Sequence, residues 1–287
     1  MRIGFHVSIA GGLHQGLLRA VDMGCDTAQF FLVNPRGWQA KPLGDDEIER
    51  FLKVRSQEAK SIRPLAAHMP YLPNLASMDP DIFAKSVHVL QDHLIRCDAL
   101  QIDFLVLHMG KGERESGIRR MAEGIKRAYG GNRYHVVLLL ENTAGQGREL
   151  GSQLSDFQEI YELLPDNFSK GICFDTCHAL AAGYDVTTQA GWRKIKKEFS
   201  QYTGIKEVKL LHINDALKPL GSRVDRHAQI GDGFIGHEGF HQFFSHRFIQ
   251  SLPCILETPR VNPDDDVKQL KLVRSLSSRK RKSLKSS

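Results

Sequence analysis

Nine side chains able to bind a metal ion punctuate this sequence: His68, His108, Glu141, Asp175, His178, His212, Asp225, His227 and Glu257. Imidazole and carboxylate together, without thiolate, suit zinc, manganese or iron better than the all-oxygen sites that favour magnesium or calcium. A catalytic zinc takes three or four protein ligands and keeps one position open, so these nine donors, with one carboxylate shared, correspond to three ions. Ions a few ångströms apart are characteristic of phosphoester cleavage, where one pair generates a hydroxide and another ion neutralises the departing oxygen. A single histidine ending an apolar run is more often a hydrogen-bonded structural residue than a ligand. Only convergence of the nine would make a site.

The elements that carry them supply that convergence. Apolar runs at 2–6, 28–34, 65–68, 104–108, 136–141, 171–175, 208–212 and 253–257 each end in a polar or metal-binding residue. Between them, helical spacing recurs at 11–24, 45–60, 79–100, 117–129, 154–164, 191–202, 238–248 and 265–276. Asp79-Pro80 reads as a cap followed by a proline in the first turn. Eight βα units predict a single α/β domain, a (β/α)₈ barrel over 1–273, with its active site on the carboxyl-terminal rim of the strands. Barrel closure would gather His68, His108, Glu141, Asp175, His212 and Glu257 around one centre, with Glu141 and Glu257 as the candidate catalytic carboxylates. Asp175 to His178 and Asp225 to His227 would add donors from short loops.

The loops after the second and third runs hold Asn34, Arg36 and Trp38, then Tyr71 and Leu72. Singly, Trp38 or Leu72 would cover the barrel top; as a set, these are the types that wedge into a base stack and hold an extruded nucleotide. Gly231, Gly233 and Gly236 fit G-x-G-x-x-G, yet no apolar strand leads in, so no nucleotide cofactor is expected and the glycines read as a loop passing close to a substrate backbone. The net charge of +6 resides in residues 274–287, which hold six Lys or Arg and no acid, and which read as a disordered basic tail on a neutral barrel. Five scattered cysteines read as reduced core thiols. No leader or spanning segment is expected, and with it no membrane partner and a cytoplasmic location.

The motifs GFHVSIAGGL (4–13), FFLVNPRGW (30–38), HMPYLPNLAS (68–77), VLHMGKG (106–112), LLLENTAGQGRELG (138–151), CFDTCHALAAGYD (173–185), LLHINDALKPLGSRVDRHAQIGDGFIG (210–236) and ILETP (255–259) closely resemble the endonuclease IV family of apurinic/apyrimidinic endonucleases. The resemblance runs in order over nearly all of 3–259. It implies a TIM barrel with three zinc ions per chain, acting as a monomer on double-stranded DNA with abasic sites, in the nucleoid of a bacterium or the nucleus of a eukaryote. Cleavage would fall 5′ to the lesion, leaving a 3′-hydroxyl and a 5′-deoxyribose phosphate. It implies His68, His108 and Glu141 for one zinc, Glu141, Asp175, His212 and Glu257 for a second, and His178, Asp225 and His227 for the third. Arg36, Tyr71 and Leu72, with Asn34, would contact DNA. Gly37 departs from the glutamine of some members, and the tail after Ser275 matches no family motif. The alternative is a sugar isomerase or epimerase of the xylose-isomerase-like barrels, for which Glu141, Asp175, His212 and Glu257 around one divalent ion would suffice.

Overall fold

Short apolar runs rich in Leu, Ile, Val and Phe, each too brief for a helix, become strands once helices cover them. In the computed structural model, which describes residues 1–38, 41–262 and 264–278, these are β1 (Arg2–His6), β2 (Thr27–Phe31), β3 (Leu65–His68), β4 (Phe104–His108), β5 (Val137–Glu141), β6 (Lys170–Asp175) and β7 (Val208–His212), followed by β8 (Asp215–Ala216), β9 (His227–Ala228) and β10 (Pro253–Leu256). All but β8 and β9 are parallel and close into a barrel in the order β1-β10-β7-β6-β5-β4-β3-β2. Around it lie α1 (Leu13–Asp22), α2 (Asp45–Gln57), α3 (Pro80–Ala99), α4 (Arg114–Tyr129), α5 (Leu154–Leu163), α6 (Thr176–Ala182), α7 (Gln189–Tyr202), α8 (Gly236–Phe244), α9 (Arg247–Gln250) and α10 (Asp265–Ser278). Asp79 caps α3 as expected, its carboxylate accepting from the Asp81 and Ile82 amides, with Pro80 in the first turn.

Register sets the site. Phe31 pairs with His68, His108 with Glu141 and Asp175 with His212, so the carboxyl ends of the strands stand level on one rim. Two residues earlier on six strands, Ala66, Val106, Leu139, Cys173, Leu210 and Ile255 form a separate buried cluster. Period-two alternation aims each of them the same way as the donor above it, so the lumen is an apolar plug with polar groups on top. Closure is tight at Gly4, where a Cβ would lie 1.6 Å from the Thr27 carbonyl oxygen.

Four boundaries differ from expectation. The second strand ends at Phe31, because Pro35 cannot donate and the Asn34 side chain accepts from the Arg36 amide, turning the chain. Asp175 to His178 is the start of α6 and not a loop, since Asp175 caps it by accepting from the His178 amide. The helix at 238–248 breaks into α8 and α9. Finally, α10 continues to Ser278, with Leu276 buried and Arg274 bonded to the Gly24 carbonyl and Asp26, so 274–278 belong to the barrel and not to a tail. Residues 279–287 of the proposed tail lie outside the described residues. Among the described residues no helix is long and apolar enough to cross a membrane.

Candidate metal centre

Glu141, fully buried at the end of β5, is met by four imidazoles. Its Oε2 lies 3.1 Å from Nε2 of both His68 and His108, and its Oε1 lies 2.9 Å from His212 Nδ1 and 3.3 Å from His178 Nδ1. Burial by itself would push this carboxyl up, but His212 and His108 hold it well below its usual range. Potential ligand atoms lie within 4.8 Å of one another in His68, His108 and Glu141, in Glu141, Asp175, His212 and Glu257, and in His178, Asp225 and His227. The structure thus brings all nine donors together in these three groups, the first two sharing Glu141, and Cys173 and Cys177 lie within the same reach, beside Glu141 and His212 and beside Asp175 and His227.

Which nitrogen faces inward is decided by the atoms behind the rings. His68 Nδ1 donates to the Met69 carbonyl at 2.7 Å, and His178 Nδ1 to the Asn142 carbonyl at 2.8 Å. A carbonyl only accepts, so in the neutral ring the other nitrogen is bare. That bare nitrogen faces Glu141 across 3.1 Å in His68 and Asp225 across 3.3 Å in His178. Two lone pairs cannot face each other in a buried site without a cation between them. Without a metal, a proton takes that place on His178: burial pushes it down, but Asp175 and the bonded Asp225 and Glu141 hold it well above its ordinary value. Asp225, opposed by burial but bonded to His178, falls to about 2.

The third group depends on α6. Its first turn carries His178 back over the rim, while Asp225 and His227 arrive on the segment leading into β9, with His227 Nε2 3.4 Å from Asp225 Oδ1. A cavity of about 810 Å³ opens here, lined by His68, His108, His178, Asp225, His227 and Glu257. Tyr71 lines this cavity and Leu72 follows it on the same loop, 66% and 39% exposed. The Tyr71 amide donates to the Pro35 carbonyl at 3.1 Å, and the Tyr71 ring packs edge-on to Phe31 at 5.3 Å, tying the third rim loop to the second. Arg36 is exposed on that second loop; Asn34 spends its side-chain oxygen on the turn, and Trp38 packs partly buried against the core. All five cysteines are buried and free, and burial pushes Cys173 up to about 12.

Comparison with known proteins decides among the chemistries such a rim can host. The family described as xylose isomerase-like TIM barrel matches residues 17–276. A probable endonuclease 4 of Nitrosopumilus maritimus is 42% identical over 276 residues, covering 94% of this chain and 98% of that protein. The chain belongs to the endonuclease 4 family. Another member, from Carboxydothermus hydrogenoformans, is 40% identical over 96% of both chains. The crystal structure of endonuclease IV from Thermus thermophilus superposes with a TM-score of 0.85 at 34% identity, covering 96% of this chain and 98% of that one. A D-tagatose 3-epimerase-like protein reaches a TM-score of 0.70 at 19% identity, a likeness of fold alone. The expectations of an endonuclease IV enzyme and of a TIM barrel therefore hold.

Two features of this endonuclease 4 relative escaped the sequence reading. Gln29, Asn214 and His6 join the donors: Asn214 Nδ2 donates to Asp175 at 2.6 Å and to Glu257 at 3.3 Å, while its Oδ1 accepts from the Glu257 amide at 2.8 Å. The available signal was a polar residue within an apolar strand, Gln29, and the asparagine two residues after His212. The glycine pattern at 231–236 also has a different use from the one expected. The loop closes on buried Asp215, whose Oδ2 accepts from the amides of Gly231, Gly233 and Gly236 at 2.9 to 3.1 Å. Its Oδ1 accepts from Ala216 and Ile235 at 2.8 and 2.9 Å. A Cβ at position 233 would sit 2.4 Å from that carboxylate, and Gly231 and Gly236 hold φ of +97° and +65°. A carboxylate of the chain itself fills the place a phosphate would take.

Proposed function

We propose that this protein is a zinc-dependent apurinic/apyrimidinic endonuclease of base excision repair. It would act as a monomer on duplex DNA, hydrolysing the phosphodiester 5′ to an abasic site to leave a 3′-hydroxyl and a 5′-deoxyribose phosphate. The observation that carries the metal reading is the convergence of the nine potential donors on the rim around buried Glu141, in groups whose ligand atoms lie within 4.8 Å of one another. His68, His108 and Glu141 would hold one zinc, Glu141, Asp175, His212 and Glu257 a second, and His178, Asp225 and His227 a third. Bound zinc supplies Lewis acidity and brings the pKa of its water to roughly 7.

The side chains of the chain do the rest. Glu141, gripped from four sides, and Glu257, held by Gln29 and Asn214, are the catalytic carboxylates that fix the spacing of the reacting groups. Tyr71 and Leu72 offer exposed apolar surface to an opened base stack, and Arg36 and Asn34 lie beside them for the backbone. The extruded sugar and its phosphate would enter the 810 Å³ cavity, whose imidazole and carboxylate lining suits a metal-bound phosphate better than an apolar base. The enzyme would work beside the genome, in a bacterial nucleoid or a eukaryotic nucleus.

The test is a duplex with one stable abasic analogue, with metal content measured on the same preparation. The expected result is one incision on the 5′ side and about three zinc ions per chain. One manganese or magnesium ion with no incision would favour the sugar isomerase reading, for which Glu141, Asp175, His212 and Glu257 suffice.

A further inference from the structure

Gln29 is fully buried in β2, a polar side chain between Ala28 and Phe30, and its amide touches three groups at the rim. Its Nε2 lies 2.7 Å from Glu257 Oε1 and 3.0 Å from His6 Nδ1, and its Oε1 lies 2.9 Å from His212 Nε2. A carboxylate oxygen only accepts, so the amide nitrogen must face Glu257. That turns the amide oxygen to His212, and because it too only accepts, the proton of His212 sits on Nε2. In the neutral ring His212 Nδ1 is then bare, 2.9 Å from Glu141 and 3.3 Å from Glu257. His6 Nδ1 lies 3.0 Å from Gln29 Nε2 and 3.3 Å from Glu257 Oε1, and His6 Nε2 is a buried atom without a hydrogen-bond partner on a ring that lines the cavity.

We propose that Gln29 is a positioning residue for the second metal group: one amide selects the His212 tautomer that presents Nδ1 and holds Glu257 at the same centre. The proposal rests on the zinc reading above. A neutral His212 has a competing choice, a proton on Nδ1 donated to Glu141 at 2.9 Å, which would close the nitrogen to a metal. Gln29 removes that choice by demanding the proton on the far side. Outer partners of this kind typically change metal affinity by about 10–100-fold.

The test compares the parent with Gln29→Met, which keeps length and burial but loses all three polar contacts, and Gln29→Glu, which keeps an acceptor for His212 but sets a carboxylate against Glu257. Zinc content and affinity are measured by titration against a competing chelator, and His212 is read in ¹⁵N spectra of the zinc-loaded parent. The expected result is about three zinc ions in the parent, with affinity for one of them about 10–100-fold weaker in both variants. In the parent, His212 should carry metal on Nδ1 and its proton on Nε2. Unchanged zinc affinity in the variants, or a parent His212 ligated through Nε2, overturns the role of Gln29. If Gln29→Met does not fold, Gln29→Glu and the parent spectrum still decide. A parent that binds no zinc overturns the metal reading instead.

Discussion

Changing Asp215 to Asn alters one atom in a buried group and should be among the costlier substitutions outside the metal centre. The carboxylate receives five backbone N–H groups, three on Oδ2 and two on Oδ1. An amide must turn its NH₂ to one set, and the less costly choice strands the pair from Ala216 and Ile235. Each stranded buried donor costs about 1–3 kcal/mol, so Asp215→Asn should lose roughly 2–6 kcal/mol, and Asp215→Ala more. At about 2–4 °C per kcal/mol for a domain of this size, the midpoint should fall by roughly 4–24 °C. Urea and thermal unfolding of zinc-loaded protein, with zinc content measured alongside, would check this. The glycine loop follows directly on β9, so zinc at the His178, Asp225 and His227 group should weaken as well. An Asn variant within about 0.5 kcal/mol of the parent, with the same zinc content, would refute the view that this carboxylate organises the loop.

Further outcomes follow from other sites. Glu141→Gln should abolish incision while retaining affinity for an abasic duplex, since a neutral amide cannot balance the imidazoles around it; incision within about tenfold of the parent would contradict that role. His93, buried in α3, is pushed down by burial from 6.5 to about 4. The unfolded chain takes up this proton near 6.5 and the folded chain only near 4, so stability is intact above pH 6.5 and falls by roughly 3 kcal/mol as pH drops towards 4. His93→Leu should lose less over that window, as denaturation at a series of pH values would show. Deleting 279–287 should leave the melting temperature unchanged, whereas deleting 274–287 should cost roughly 2–3 kcal/mol through the loss of Leu276 burial and the Arg274 contacts.

The barrel was legible because its signals are local and repeated: four residues of Leu, Val and Phe before His108 permit little but a buried strand. The donors were legible because strand ends in a closed barrel must meet, whatever the intervening sequence. What the sequence did not disclose depends on contacts between distant residues. Gln29 sits 183 positions from His212, and no periodicity links them. The glycines at 231–236 carry the spacing of a phosphate loop, but only the fold reveals that Asp215 occupies it. α10 runs two residues past the expected 276, and its end is held where the basic run begins because Arg274 is anchored through Gly24 and Asp26 and Leu276 is buried. Asp175 was read as a ligand in a loop, whereas the same carboxylate also starts a helix.

The plug of Ala66, Val106, Leu139, Cys173, Leu210 and Ile255 fills the lumen beneath the centre. The donors meet solvent through the cavity at the rim, on the face where Tyr71 stands. Whatever lies on that face therefore stands between the donors and solvent. A duplex seated there would be substrate and stopper at once, and zinc would leave more slowly from the occupied enzyme than from the free one.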